Sequence, residues 1–312
     1  MKRVLVVGGA NIDLHARVAA AHVPGTSNPG TLTSSAGGVA RNIAENLARL
    51  GTSVTLVAPV GTDPFGDRLR HELTAVGIDA DHLIPSPHAT GTYLAVLDEG
   101  GDLVTGVSDM AACELLRPED MVEVPLLLPQ VAMLVLDGNL PAPVIGWLLA
   151  AAEAAQVRVV IDPVSVAKAT RLAPELHHPV FLLTPNADEL RALASDTHLD
   201  PAADPLAAQV EALRQRGVEW VWVRQGGAGS LLWGPGVEAL AIPIVPSRVV
   251  DVTGAGDSMT AGFVHAWLAG ATPPEAAQFG ALVASATVAS PHTVRPDLIA
   301  SLARPYPEGT TP

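Results

Sequence analysis

The sequence predicts an α/β fold: a parallel sheet covered by helices on both faces, with one antiparallel hairpin set apart from it. Three observations lead there. Short β-branched runs alternate with longer helical stretches along the chain. The runs are apolar throughout, as strands buried on both faces are. One pair of segments instead alternates apolar and polar residues, which marks a hairpin with one wet face.

Residues 4–7 read as the first strand, and residues 39–50 follow as a helix closed by Gly51. Further strands are expected at 54–57, 133–136, 157–161, 180–183 and 220–223, with helices near 65–76, 142–155 and 205–216. Segments 92–97 and 103–107 flank Asp98-Glu99-Gly100-Gly101-Asp102 and form the hairpin. With the turn-rich piece 15–35 it makes either a lid on the main sheet or an ordinary edge hairpin.

Composition removes several classes of function. The net charge is −14 at pH 7 and no basic block offsets it, so nucleic acid and anionic membranes are poor partners. A single Cys113 excludes an internal disulfide framework and a multi-cysteine metal site; it suits a reducing cytoplasm and reads as a small buried hydrophobe. The apolar run after Met1-Lys2-Arg3 stops at Gly8-Gly9, so no secretion signal is expected. The longest apolar stretch, 124–136, is cut by Pro125 and Pro129 and falls short of a membrane span. Of the 18 basic residues only Lys2 and Lys168 are lysines, and neither sits in a Gly-Lys-Ser/Thr string. A nucleotide would therefore be held by something other than a Walker A loop.

The sharpest chemical signal is Asp251-Val252-Thr253-Gly254-Ala255-Gly256-Asp257, followed by a helical run over 258–268. Glycines at a helix start can bare consecutive backbone N–H groups, which attract phosphate through hydrogen bonds and the helix dipole. Gly254, Ala255 and Gly256 then form an anion hole, and Asp257 in the first turn can accept a proton from an attacking hydroxyl. A second string, Thr184-Pro185-Asn186-Ala187-Asp188-Glu189, opens a helix after the 180–183 strand. Asn186 and Glu189 share a helical face, so they either reach one Mg²⁺ through its waters or form a capping box. Gly226-Gly227-Ala228-Gly229 is either a turn open enough for a nucleotide or a plain turn between strands. Gly8-Gly9-Ala10-Asn11-Ile12-Asp13 ends the first strand, where ligands of open α/β sheets gather, and Gly37-Gly38 with Asn42 begins the next helix. Asp13 and Asn42 can bind neighbouring sugar hydroxyls there. The first of these strings lacks GxGxxG spacing, which excludes a dinucleotide site.

These strings occur in the order found in the ribokinase-like, or PfkB, carbohydrate kinases, and the chain resembles that family from residue 4 to about residue 302. Within the family, several stretches are similar to pseudouridine kinases: 8–13, Ser27-Asn28-Pro29-Gly30, 37–51, 93–98, Asp109-Met110, and Asp162-Pro163-Val164-Ser165 with Lys168. Leu14-His15-Ala16-Arg17 departs from that pattern, and His15 reads as a lid surface residue. His177-His178 has no HExxH-type spacing, so zinc is not expected; residues 292–296 either line an adenine pocket or cap the fold.

The resemblance implies a ribokinase-like, Rossmann-type α/β sandwich with a small antiparallel β-lid, one domain over residues 1–312 with lid segments at about 12–35 and 90–110. It implies phosphoryl transfer from ATP, with Mg²⁺, to a primary hydroxyl of a small nucleoside or sugar, most closely the 5′-hydroxyl of pseudouridine. Asp257 matches the catalytic base, and Gly254, Ala255 and Gly256 match the anion hole. Asn11, Asp13, Asn28, Gly37, Gly38, Asn42, Tyr93 and Lys168 fall at substrate positions, Lys168 either meeting the transferred phosphate or standing as a solvated helix-start lysine. Asn186, Gly226, Gly229 and Thr253 fall at ATP positions, and Asn186 with Glu189 matches the Mg²⁺ motif. Asp251 and Thr253 match the place of a monovalent cation such as K⁺, and a homodimer through the lid is a further expectation. The alternatives are a kinase for ribose, another nucleoside or a hexose and, in another class, a non-catalytic nucleoside-binding sensor.

Overall fold

The computed structural model describes residues 2–195 and 205–302. Its first eight strands are β1 (Arg3–Val7), β2 (Asn11–Val18), β3 (Gly30–Gly37), β4 (Ser53–Val57), β5 (Pro59–Gly61), β6 (Ile84–Ser86), β7 (Gly91–Leu97) and β8 (Leu103–Asp109). The rest are β9 (Met133–Asp137), β10 (Arg158–Asp162), β11 (Val180–Leu183), β12 (Val218–Arg224), β13 (Ser230–Gly234) and β14 (Val237–Ile242). One sheet has the order β14-β13-β12-β11-β10-β9-β1-β4. From β12 to β4 every neighbour is parallel, and these six are the apolar runs expected from the sequence. β13 and β14 add an antiparallel margin. β14 escapes a search for apolar runs because, on the edge, most of its residues stay partly or fully exposed.

Strand alternation divides the core in two. Val4 and Val6 face a cluster with Ala40, Ile43 and Leu47 of the helix Val39–Arg49 and Phe263 of the helix Ala255–Leu268. Leu5 and Val7 face the other side, packed with Leu148 and Leu149 of the helix Ala142–Ala154. Each fully buried aliphatic side chain, such as Leu47, contributes roughly 1.5–3 kcal/mol to holding the layers together. The crossover after β1 lies on one face and the crossover after β9 on the other, so the strand order switches between β1 and β9. Ligands of open α/β sheets bind outside such a switch.

The lid is a separate four-stranded sheet of order β3-β2-β7-β8. β2 pairs antiparallel with β3, and β7 with β8, while the central pair β2 and β7 runs parallel. Those two strands are not joined by a hairpin; a long connection through β4 and the helix Pro64–Ala75 separates them, and such a connection permits the parallel direction. Ile12 and Leu14 pack toward the core, so Asn11, Asp13 and His15 point to the opposite face. Among the described residues no helix is long and apolar enough to cross a membrane.

Candidate active site

The C-terminal ends of the parallel strands gather the polar side chains. Asp137, Asp162 and Arg224 end β9, β10 and β12, and Thr184 follows β11. Opposite them begins the helix Ala255–Leu268, capped by Gly254 at φ +77°. A side chain at Gly254 would run into the carbonyl of Thr293, so glycine is required both for the left-handed turn and for the close approach. The 292–296 segment thus braces the turn that opens this helix. Ala255 N–H donates to the Val252 carbonyl at 3.2 Å. Gly256 and Asp257 follow at the positions where helical N–H groups lack intrahelical carbonyls.

Asp257 is 9% exposed, and its Oδ2 accepts a 2.8 Å hydrogen bond from Asn42 Nδ2. Burial is the main force on its carboxyl, raising the pKa to about 7; Asp162 adds to the rise, while Asn42 and Arg224 oppose it. A carboxyl poised there can take a proton from an alcohol near neutral pH. Asn42 itself is placed by the helix that Gly38 caps, its N–H donating to the Gly38 carbonyl.

The lid brings the acceptor-side candidates to the same place. Asn11 Nδ2 donates to Asp13 Oδ1 at 2.7 Å, Gly37 lies opposite Asn11 in the ladder, and Tyr93 lies opposite Asp13. Burial raises the Asp13 pKa, while Asn11, His15 and Arg41 hold it down. His15 is exposed, as expected of a lid surface residue, but it sits on the Asp13 face, and its charge acts on both Asp13 and Asp251. Lys168 Nζ donates to Asn139 Oδ1, and both line a small pocket with Asn11, Met110 and Cys113. Lys168 therefore groups with Asn11 and is absent from the lining of a second, larger cavity.

That larger cavity, of about 360 Å³, is lined by Arg224, Gly226, Gly229, Gly256, Met259 and Val288 among others. It is mostly apolar, and the turn Gly226–Ala228 forms part of its rim. Asn186 and Glu189 stand behind it as a complete capping box: Asn186 Oδ1 accepts from the Asp188 and Glu189 N–H groups, and Glu189 Oε2 accepts from Asn186 N–H. Burial raises the Glu189 pKa, with the Asn186 N–H and Arg224 pulling the other way.

A family model for pfkB family carbohydrate kinases matches residues 1–299. The chain belongs to this family. It is 31% identical over 297 residues to a pseudouridine kinase of Escherichia coli, covering 95% of this chain and 93% of that protein. With a ribokinase of Bacillus subtilis it shares 26% over 296 residues, covering 93% and 94%. The structure of an Arabidopsis thaliana ribokinase complexed with ribose and ATP superposes with a TM-score of 0.80 at 23% identity, over 97% of this chain and 99% of that one, and shows the common fold. The pfkB kinase described here is an ATP-dependent sugar or nucleoside kinase.

Kinases of this family use ATP, generally with Mg²⁺, and the donor set of this chain can be tested for that ion. Among the described residues no group of three or more His, Cys, Asp or Glu side chains could cage a metal. Asn186 Oδ1 spends both lone pairs on the Asp188 and Glu189 N–H groups and keeps only its Nδ2 donors, whereas the Glu189 carboxylate has acceptor capacity beyond the Oε2 bond to Asn186 N–H. Such a donor set fits an ion held mainly by phosphate oxygens and water, with the Glu189 carboxylate as the acceptor that could face that water.

Of the candidates, Asn11 and Lys168 line the small pocket and Ala255, Gly256, Gly226 and Gly229 line the large cavity, so Asp257, Asp13 and Asn42 stand outside both linings, as do Asn28, Thr253 and Asn186. Asn28 sits where β2 turns toward β3, at the lid end far from Asn11, and its amide bonds the backbone of Val23 and Thr26. It closes its own loop instead of reaching the acceptor pocket. Thr253 is exposed and outside the lining of the large cavity, whereas its neighbour Val252 is part of it. Asn186 is also absent from that lining. Conversely, no sequence motif marks Asp137, which directly follows the apolar stretch 124–136. It is fully buried and accepts from Gly9 N–H at 3.1 Å, Ala40 N–H at 2.8 Å, and Asn139. It ties the first strand end to the start of the helix that carries Asn42. Arg224 was missed as well. The available signal was a charged residue at the C-terminal end of an otherwise apolar strand, the edge where α/β ligands bind.

Proposed function

We propose that this kinase phosphorylates the 5′-hydroxyl of pseudouridine with ATP, giving pseudouridine 5′-phosphate and ADP. The likeness to a pseudouridine kinase over 95% of the chain carries the choice of acceptor. The pocket chemistry supports it: Asp13 and Asn11 offer acceptors and donors to sugar hydroxyls, and the Asn139 and Lys168 pair offers the same to the edge of a polar base.

In this reading Asp257 takes the proton of the 5′-hydroxyl as the oxygen bonds to the γ-phosphorus and the bond to the β-phosphate bridging oxygen breaks. ADP leaves with that electron pair. The N–H groups at the start of the helix Ala255–Leu268 meet the charge on the migrating group, and losing one such donor typically costs about 10²–10³ in rate. Mg²⁺, when bound, would neutralise phosphate charge; in this reading the Glu189 carboxylate accepts from its water shell and the Asn186 Nδ2 group donates beside it. Asp251 is held below the usual carboxylate range by Thr253, so it stays ionised and suits a monovalent cation such as K⁺. The lid exposes Leu32, Leu103 and Val107, which suits the pairing of two lids in a homodimer.

An ADP-release assay over pseudouridine, uridine, inosine, ribose and fructose tests the acceptor, with pseudouridine expected to give the highest kcat/KM. Turnover of ribose or fructose well above pseudouridine overturns the choice. The pH dependence follows from Asp257: the base is active when ionised, so kcat/KM should climb with pH through about 7 and level off above it. Two units below, about 1% of the carboxyl is ionised and activity should be down about 10²-fold. A flat profile between pH 5 and pH 8 would remove Asp257 from that role.

A further inference from the structure

The lining of the large cavity holds a cation to which the reading above gives no role. Arg224, at the end of β12, makes a two-pronged contact with Asp162, Nη1 to Oδ2 at 2.9 Å and Nη2 to Oδ1 at 3.4 Å. Its Nη2 also lies 3.6 Å from Glu189 Oε2. The guanidinium rests against Gly256 so closely that any side chain there would collide with it. Arg224 is 16% exposed at its side chain, and it lines the large cavity. One arginine thus joins the Asn186 and Glu189 motif, the end of β10, and the first turn of the anion-hole helix.

We propose that Arg224 is a positioning residue that sets the charge of the phosphoryl-transfer floor. Asp162 and Glu189, 3% and 4% exposed, are two buried negative charges directly behind the place where polyphosphate would lie. Unpaired, they would repel the incoming phosphates or take up protons. Arg224 neutralises them in fixed geometry and leaves further N–H donors of its five for the cavity side. It also governs Asp257. The charged groups facing Asp257 are Asp162 from β10, Asp137 from β9 and Arg224 from β12, with Asn42 donating from the helix Val39–Arg49. Two carboxylates push its proton affinity up, and Arg224 is the cation opposing them.

This inference rests on Asp257 being the base, and its test separates the two ideas. Arg224→Met, Arg224→Lys and Asp162→Asn are compared with the parent enzyme by kcat/KM against pH, using whichever acceptor turns over best, and by calorimetric binding of Mg·ADP. Arg224→Met should lose at least about 10² in kcat/KM, move the acid limb up by about one pH unit or more, and weaken Mg·ADP at least about tenfold. Arg224→Lys should recover much of each loss. Asp162→Asn should move the limb down, because a negative neighbour of Asp257 has gone. Limbs displaced in opposite directions are not expected from a pair that only braces the fold. A folded Arg224→Met enzyme with an unmoved limb and unchanged Mg·ADP affinity overturns the proposal. Should that variant fail to fold, an unmoved limb in Asp162→Asn does so. A parent enzyme without an acid limb defeats the reading of Asp257, and the Mg·ADP affinities then decide the role of Arg224 alone.

Discussion

Asp257→Asn is expected to lower kcat by about 10²–10⁴ while leaving nucleotide and acceptor affinity within a few-fold. The exchange is nearly isosteric. An amide oxygen at the same place still accepts from Asn42 Nδ2, so the helix start and its contact with the helix Val39–Arg49 stay as they are. Only the ability to take a proton goes. Stability should move the other way. Because burial raises the Asp257 pKa above its unfolded value, the parent protein loses stability as pH rises toward and through about 7. At pH 8 the Asn variant should therefore melt at or above the parent temperature, with the advantage shrinking as pH falls from 7 toward 4. Single-turnover rates and melting curves at pH 5 and pH 8 check both halves. Parent-like turnover in the variant would dismiss Asp257 as the base.

Gly254→Ala should be nearly as damaging, for a backbone reason. The residue sits at φ +77°, where a Cβ costs about 1–2 kcal/mol, and that Cβ would also strike the Thr293 carbonyl. Either the turn or the 292–296 segment must shift, and the N–H groups of Gly256 and Asp257 shift with it. The expected result is a loss of about 10²–10³ in kcat, together with a melting temperature several degrees lower. Acceptor affinity should change little, since Asn11 and Asp13 stand on the lid. A variant that is destabilised yet turns over at the parent rate would show that this turn braces the helix without aligning the transfer step.

The largest part of the fold was legible before any coordinates. The six parallel strands are apolar along their length because helices cover both faces, and that pattern survives in sequence without knowledge of neighbours. The Asp251 to Asp257 string was equally readable, because a left-handed glycine at a helix start is a local requirement. Its site role is a matter of distant partners, however, and distance along the chain hides them. Asn42 and Asp257 are 215 residues apart and meet at 2.8 Å; Asp162 and Arg224 are 62 apart and meet at 2.9 Å. Asn28 is the converse case, a polar residue in a well-matched string that folding carries to the wrong end of the lid. Lys168 stands out by composition, but its bond to Asn139 and its place beside Asn11 in the small pocket come only from packing.

What the sequence determined by itself is the set of local commitments: which runs become strands, where helices begin, and which short strings can bare amides or offer a carboxylate. Each depends on neighbours a few residues away, through backbone sterics and hydrophobic periodicity. What the tertiary structure alone decided is electrostatic. It set which carboxyl is driven toward neutrality and which cation restrains it, because Asp137, Asp162, Arg224 and Asp257 come from four separate elements. Charge interactions between buried groups depend on separation and on the exclusion of water, and neither quantity is written in the order of residues.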